Sequence, residues 1–225
     1  GLKIIINEYI GSLSVPYAIK FNSVAKVGDV KFGSVKDAVN YAQAGDVVTV
    51  TNDNEIASTV VVNKNITLDL NGKEITAAEN VYPVIRIQEE AEVSVTGNGA
   101  ITNATDYVFV LGASDGSSTG NLTIENGTYV ASTTIASLTK GQLNILGGEF
   151  SLVEGTTDYR YLINCIDANY KNGTAKVAIQ GGTFHKWNPE NNAAEGAGTN
   201  FCAPGYAALE TSTDGNAWSL YSFGV

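Results

Sequence analysis

A short phrase recurs between Gly120 and Phe184, and it restricts the fold more than any other feature of the chain. It reads Leu122-Thr123-Ile124-Glu125-Asn126-Gly127-Thr128-Tyr129, then Leu143-Asn144-Ile145-Leu146-Gly147-Gly148-Glu149-Phe150, then Val177-Ala178-Ile179-Gln180-Gly181-Gly182-Thr183-Phe184. The three copies align without a gap. Each gives two apolar residues two apart, a turn dipeptide ending in Gly, and an aromatic two residues further on. Ile66 to Gly72, leading to Ile75, and Val93 to Gly99, leading to Ile101, are looser copies. Apolar alternation over so few positions predicts short strands with one buried face. Asn-Gly and Gly-Gly allow the chain to bend sharply between them.

The copies return at roughly 20- to 35-residue intervals, the period of solenoids in which each repeat is one coil. A lone coil cannot bury its apolar side, whereas stacked coils share a continuous core. The expected fold is therefore all-β, a right-handed parallel β-helix, with Ile124, Ile145 and Ile179 stacked and buried. The competing fold is an antiparallel sandwich in which the Asn-Gly pairs are hairpin turns. A fixed phrase around the turn favours stacked coils over unrelated hairpins.

Flanking segments define the boundaries. Residues 1–23 do not fit the repeat: Leu2 to Ile6 is strand-prone, and Leu13, Val15, Tyr17, Ile19 and Phe21 alternate, with Pro16 pointing to a peripheral strand. This N-terminal arm is the expected anchoring or docking segment. The β-helix is expected over 24–187, opening with a hairpin around Gly28-Asp29. A capping helix is predicted over 34–44, with Ser34 as N-cap, Asp37 three residues on, and an apolar stripe of Val35, Ala38, Val39 and Ala42. Gly45 suits the position after its end. Such a helix would cover the open first coil. Second strands are expected at 84–87, 107–111, 135–138 and 162–166, with insertions at 112–120, 154–159 and 167–173 as contact-forming loops. Residues 188–225 read as an irregular loop and a closing hairpin. Its turn is Asp214-Gly215, and Leu209, Trp218 and Leu220 are its apolar contacts.

Charge excludes some partners. With 13 basic and 23 acidic residues the formal net charge is −10, so nucleic acid is not expected as a partner. No apolar run approaches the ~20 residues that a membrane-spanning helix needs; the first residues lack the apolar core of an export signal, so the expectation is either that the chain is not exported by that route or that its signal is already gone. Membrane insertion is not expected. The two cysteines, Cys165 and Cys202, lack metal-site spacing. Cys165, within an apolar run, reads as a small buried hydrophobe; a bond to Cys202 has no support in the sequence. The five Asn-x-Thr triplets, at Asn65, Asn103, Asn121, Asn126 and Asn172, read as by-products of an Asn- and Thr-rich solenoid, the alternative being glycosylation.

Glycoside hydrolysis needs two carboxylates facing each other across the bond. Lyase chemistry needs a base and a cation to stabilise the carbanion. The chain has two arginines, Arg86 and Arg160, and one histidine, His185. Arg86 is expected to point outward from a strand, and Arg160 to form a surface pair. Asp158, Arg160, Asp167 and His185, from adjacent coils, are the nearest approach to a catalytic cluster. Scattered solvated groups are the better reading, because no paired-Asp phrase accompanies them. Glu89-Glu90 reads as a solvated turn. Tyr107, Tyr159, Tyr161, Tyr170 and Trp187 are candidates for a glycan-stacking surface, some of them competing for the core. No catalytic, metal or cofactor-binding residue is assigned, and no cofactor is expected.

From Val24 onward the chain resembles pectin-lyase-like β-helix proteins of gut bacteria and their tailed bacteriophages. The residues carrying the resemblance are Val27 to Val39, Gly45 to Val50, Ile66 to Gly72, the Gly-Gly-x-Phe phrases, and Trp187 to Gly196 with Thr199 to Phe201 and Gly205-Tyr206. The last group is the most distinctive and is associated with phage and prophage structural proteins. The resemblance implies a β-helix and a virion location, as a capsid-attached head fibre or a tail fibre. It does not imply activity, since the polygalacturonase and pectate-lyase phrases are missing and fold alone does not license function. Two functions compete. One is a non-enzymatic virion protein: a homo-oligomer with a trimer favoured, bound to other virion proteins through its arm and contacting host glycans. The other is a secreted or cell-surface protein of a gut bacterium that acts on or binds polysaccharide.

Overall fold

The computed structural model describes residues 22–223. The proposed docking arm therefore lies outside the described residues, except at its end. There Ser23 accepts from the Asn52 side-chain amide at 2.6 Å through its carbonyl.

The described residues open with strands β1 (Ala25–Val27) and β2 (Val30–Phe32), followed by helix α1 (Val35–Tyr41). Five successive levels then carry three strands each. They are β3 (Val47–Val50), β4 (Asn54–Ile56) and β5 (Val60–Val62); β6 (Ile66–Asp69), β7 (Glu74–Ala77) and β8 (Ile85–Ile87); β9 (Ala91–Thr96), β10 (Ala100–Asn103) and β11 (Phe109–Leu111); β12 (Gly120–Ile124), β13 (Thr128–Ala131) and β14 (Ala136–Leu138); β15 (Gly141–Ile145), β16 (Glu149–Leu152) and β17 (Ile163–Cys165). Helix α2 (Asp167–Lys171) precedes β18 (Ala175–Ile179) and β19 (Thr183–His185), and a hairpin of β20 (Tyr206–Glu210) and β21 (Ala217–Ser222) is the last element among the described residues.

Every third strand pairs in parallel. The first sheet runs β18-β15-β12-β9-β6-β3-β1-β2, the second β20-β21-β19-β16-β13-β10-β7-β4, and the third β17-β14-β11-β8-β5. Among the described residues only the strand pairings at the two ends are antiparallel. The fold is all-β and solenoid-like, with long parallel-strand sheets, and it excludes the sandwich of independent hairpins. Each repeated phrase spans one corner: its apolar pair lies in the first sheet and its aromatic in the second. The additional strands expected from sequence build the third sheet.

Register turns the repeat into columns. Ile124 pairs with Ile145 and Ile145 with Ile179, and all three are fully buried. On the second sheet Ile75, Ile101, Tyr129, Phe150 and Phe184 follow one another in register. Tyr129 stacks on Phe150 at 5.3 Å and Phe150 on Phe184 at 4.8 Å between ring centres, a separation at which offset stacking is attractive. Cys165 ends a third-sheet column of Val62, Ile87, Leu111 and Leu138. It is buried and unbonded to Cys202. Glycines permit the close approach of coils at the corners. A Cβ on Gly141, at φ +126°, would run into the Gly120 carbonyl, and one on Gly181 into the Leu146 carbonyl.

Outside the core, asparagines tie coil to coil. Asn65 and Asn121 accept from the backbone of Glu92 and Gln142 in the next level, at 2.9 and 3.0 Å. Asn103 is fully buried; its amide donates to the Val81 and Tyr107 carbonyls. These triplets serve the architecture, and burial keeps Asn103 from a glycosyl donor.

The first end is closed as the apolar stripe demands. Ser34 Oγ accepts from Asp37 N–H at 3.0 Å, and Val35, Ala38, Val39 and Ala42 enter the core. The helix packs against β5 and the β1–β3 strands. It is shorter than the expected 34–44, because Ala42 leaves helical geometry. Gln43 N–H instead bonds the Asp46 carboxylate at 2.8 Å. Gly45 belongs to that turn rather than to the helix end, and its N–H donates to the Asn65 carbonyl. At the other end Trp187, Ala194, Phe201 and Ala203 cover the last level and are buried. Of the hairpin's expected apolar contacts, Trp218 and Leu220 are half-buried, while Leu209 is 53% exposed. It shares a strand face with Ala207, which pairs with the exposed Tyr221.

Candidate functional site

The cluster suggested by the sequence does not assemble. Asp158 and Arg160 form a forked pair at 2.6 Å on the surface. Asp167 faces Lys171, one helical turn on, at 3.9 Å. His185 faces Glu149 across the second sheet at 2.8 Å. Side-chain hydrogen bonds from Arg160 pull the Asp158 carboxyl down to about 2, and the same bonds raise the guanidinium. Arg86 reaches the Gly112 carbonyl and Ser114 Oγ, at 3.5 and 3.3 Å. Glu89 and Glu90 occupy a left-handed turn, at φ +57° and +62°, and are exposed.

A cleft of about 800 Å³ lies where the insertion after β16 meets the C-terminal cap. Asp158, Tyr159, Arg160, Lys186, Trp187 and Trp218 contribute to its walls, together with Asn188 and Asn191. Several placements follow from the sheet ends. β21 pairs with the edge of β19, which sets Trp218 opposite Phe184. Trp187 continues the aromatic column: it lies 5.5 Å from Phe184 and 6.1 Å from Phe201. Its indole N–H donates to the Arg160 carbonyl at 3.3 Å. It is therefore the floor of the cleft rather than a free stacking surface. Lys186 has φ +57°, which is uncommon for a residue with a side chain. Its N–H bonds the Asn216 carbonyl, and its ammonium lies 5.3 Å from the Tyr159 ring centre. That separation is within the range of a cation–π contact.

Of the aromatics named as candidates, Tyr159 and Trp187 reach this cleft. Tyr107 packs edge-on against Tyr82 and Tyr170 against Phe201, while Tyr161 lies beneath Arg160. Trp218, Lys186, Asn188 and Asn191 are site residues that sequence reasoning did not select. Two of them directly flank Trp187, so adjacency to a tryptophan was the available signal. Trp218 depends on an antiparallel register that no local pattern announces.

Chemically, the cleft joins aromatic faces, planar amides and two cations around one carboxylate, Asp158, which is already held by Arg160. Among the described residues no group of three or more His, Cys, Asp or Glu side chains is placed to hold a metal ion, and no helix is long and apolar enough to cross a membrane. Comparison with protein-family models, curated proteins and solved structures finds no match to this chain.

Proposed function

We propose that this chain is a non-enzymatic right-handed parallel β-helix that serves as a projecting structural protein of a bacteriophage virion, a head or tail fibre, and contacts host-surface glycans through its C-terminal cleft. The handedness follows from the strong preference of crossovers between parallel strands for the right-handed path. The virion assignment is supported by the sequence resemblance, in particular the Trp187–Gly196 phrase. That phrase supplies one wall of the cleft. A homotrimer attached through residues 1–23 completes the proposal.

The observation that carries the glycan reading is the composition of the cleft. Tyr159 and Trp218 offer rings to the apolar faces of sugars, while Asn188, Asn191 and Lys186 offer polar groups to their hydroxyls. This is the usual mixture of apolar surface and few convergent polar groups in ligand sites. Asp158 is the one carboxylate among the lining residues, whereas glycoside hydrolysis employs two.

Titration with soluble acidic and neutral polysaccharides tests both parts. Tryptophan emission should change on binding, because both tryptophans of the chain line the cleft, and no reducing ends or unsaturated products should accumulate. Turnover that disappears in Asp158→Asn would favour the second reading, a secreted or cell-surface protein acting on polysaccharide. Deleting residues 1–23 should leave a folded solenoid by circular dichroism and abolish incorporation into particles. Normal incorporation of the truncated protein would refute the anchoring role.

A further inference from the structure

Among the described residues Glu195 is the one carboxylate-bearing side chain taken into the interior, 9% exposed. Its surroundings are only half matched to it. Oε1 accepts from the Cys165 N–H at 2.6 Å. Oε2 is buried and has no hydrogen-bond partner. The Cys165 N–H belongs to β17, the last strand of the third sheet. Glu195 thus occupies the place of the carbonyl that a further strand would have supplied.

The same residue fastens the loop that walls the cleft. Glu195 N–H donates to Thr199 Oγ1 at 3.2 Å, and Thr199 exchanges two backbone bonds with Asn192, each 3.0 Å. Ala194 N–H bonds Asn192 Oδ1 at 3.0 Å. Asn191, Asn192 and Ala193 line the cleft directly. The groups facing Glu195 are Cys165 on β17 and Asp167, Tyr170 and Lys171 on α2.

We propose that Glu195 is a proton-operated latch. In its neutral form it holds the 188–204 loop against the end of the third sheet and shapes the cleft wall. On ionisation it is driven toward water and releases the loop. The physical cause is that an ionised carboxylate with one unpartnered oxygen is far costlier to bury than a neutral acid. Burial raises the carboxyl above its ordinary range. The Cys165 N–H opposes that rise, Asp167 adds to it, and Lys171, engaged with Asp167, opposes it. The sign follows from the raised value. The closed loop has its full stability below the ordinary glutamate value of ~4.3 and loses it as pH rises through the elevated one. Most acidic residues act the other way, so the latch has a distinct signature.

The latch deepens the reading of the cleft as a ligand site, but its test uses no ligand. A failure of the latch is therefore distinguishable from a failure of glycan binding. Wild type, Glu195→Gln and Glu195→Ala are compared as the full chain between about pH 4 and pH 8, a range spanning the ordinary and elevated positions of a buried glutamate. Two readouts are followed: tryptophan emission, and hydrogen exchange at the Cys165 amide corrected for its intrinsic pH dependence. In wild type, emission should shift to the red and Cys165 protection should fall with rising pH, by about tenfold for each unit of elevation. Glu195→Gln keeps an acceptor for Cys165 without a charge, and it should retain the acid-form spectrum and protection throughout. Other titrating groups act in both proteins, so the difference between profiles isolates Glu195. Glu195→Ala should resemble the released form at every pH. Coincident pH profiles for wild type and Glu195→Gln, or a flat wild-type profile, would overturn the latch. That comparison decides the matter even if Glu195→Ala does not fold.

Discussion

The stack of levels from β6 to β19 and the cap from Trp187 to Phe223 are held together by different means. In the stack each position is repeated by its neighbours in register: isoleucine lies on isoleucine, and phenylalanine on phenylalanine. Its stability comes from apolar area and from backbone ladders that any suitable side chain would permit. In the cap almost nothing repeats. Beside the β20–β21 ladder, particular polar side chains supply bonds: Glu195 serves Cys165, Glu190 Oε2 accepts from Ala208 N–H at 2.9 Å, and Asn188 Oδ1 from Glu190 N–H at 2.9 Å. Glu190 also occupies a backbone donor on β20, the outermost strand of its sheet, which blunts an edge that would otherwise invite pairing. A stack of this kind resists change as a whole. A cap built from single contacts can respond to a proton or a ligand without disturbing the levels beneath it.

The largest expected effect lies in the stack. Phe150 is fully buried between Tyr129 and Phe184, and Phe150→Ala should cost about 3–5 kcal/mol in chemical denaturation, the usual range for deleting a buried phenyl ring. A cost below that of Glu195→Ala would break the comparison. Gly141→Ala comes next. Its φ of +126° and the Gly120 carbonyl in its path give strain on the order of 1–3 kcal/mol before the clash is counted. A melting temperature equal to wild type would show that the coils do not approach so closely at Gly141 and Gly120.

This asymmetry also explains how much could be read from sequence. The repeated phrase places Ile124, Ile145 and Ile179 because each copy restates the same local rule of alternation, turn and aromatic. The third sheet was legible only as apolar runs, since its strands lie at varying distances from the phrase. The end of α1 was overestimated because Ala42 continues the apolar stripe, while the Asp46 carboxylate draws the backbone of Gln43 out of the helix. The cleft was half legible. Asp158, Tyr159, Arg160 and Trp187 stood out by type, but their union with Trp218 depends on the pairing of β21 with β19. Glu195 carried no signal at all: a glutamate between Ala194 and Gly196 in a polar loop reads as solvated, and only the edge of the third sheet draws it inward.

A smaller effect tests the interior column by one atom. Tyr129 is buried, and its hydroxyl donates to the Asn126 carbonyl at 2.7 Å; desolvation raises its ionisation far above the ordinary range. The corresponding positions in the next two levels are phenylalanine. Tyr129→Phe should keep the stack and lose about 0.5–1.5 kcal/mol, the net contribution of one hydrogen bond. A loss matching that of Phe150→Ala would mean that the hydroxyl, rather than ring stacking, organises the corner.

The smallest effect belongs to the exposed pair in the insertion after β16. Arg160 donates to both carboxylate oxygens of Asp158, through Nε at 3.0 Å and Nη2 at 2.6 Å. Geometry of this kind holds the carboxyl down to about 2. A depressed acid contributes stability above its unfolded value of ~3.9 and loses it as pH falls toward the folded one. Both side chains are about half exposed, at 59% and 49% for Arg160 and Asp158, and pairs in such settings are screened by water and salt. Asp158→Asn should therefore leave the melting temperature at neutral pH unchanged. The pair should be visible instead in a carboxyl titration followed by nuclear magnetic resonance: Asp158 titrates near 2 at low salt and moves toward its ordinary value in about 1 M salt, where the screening length is ~3 Å. An Asp158 that already titrates at the ordinary value in low salt would show that the fork is not maintained in solution. The cleft would then lose its one fixed charge pair.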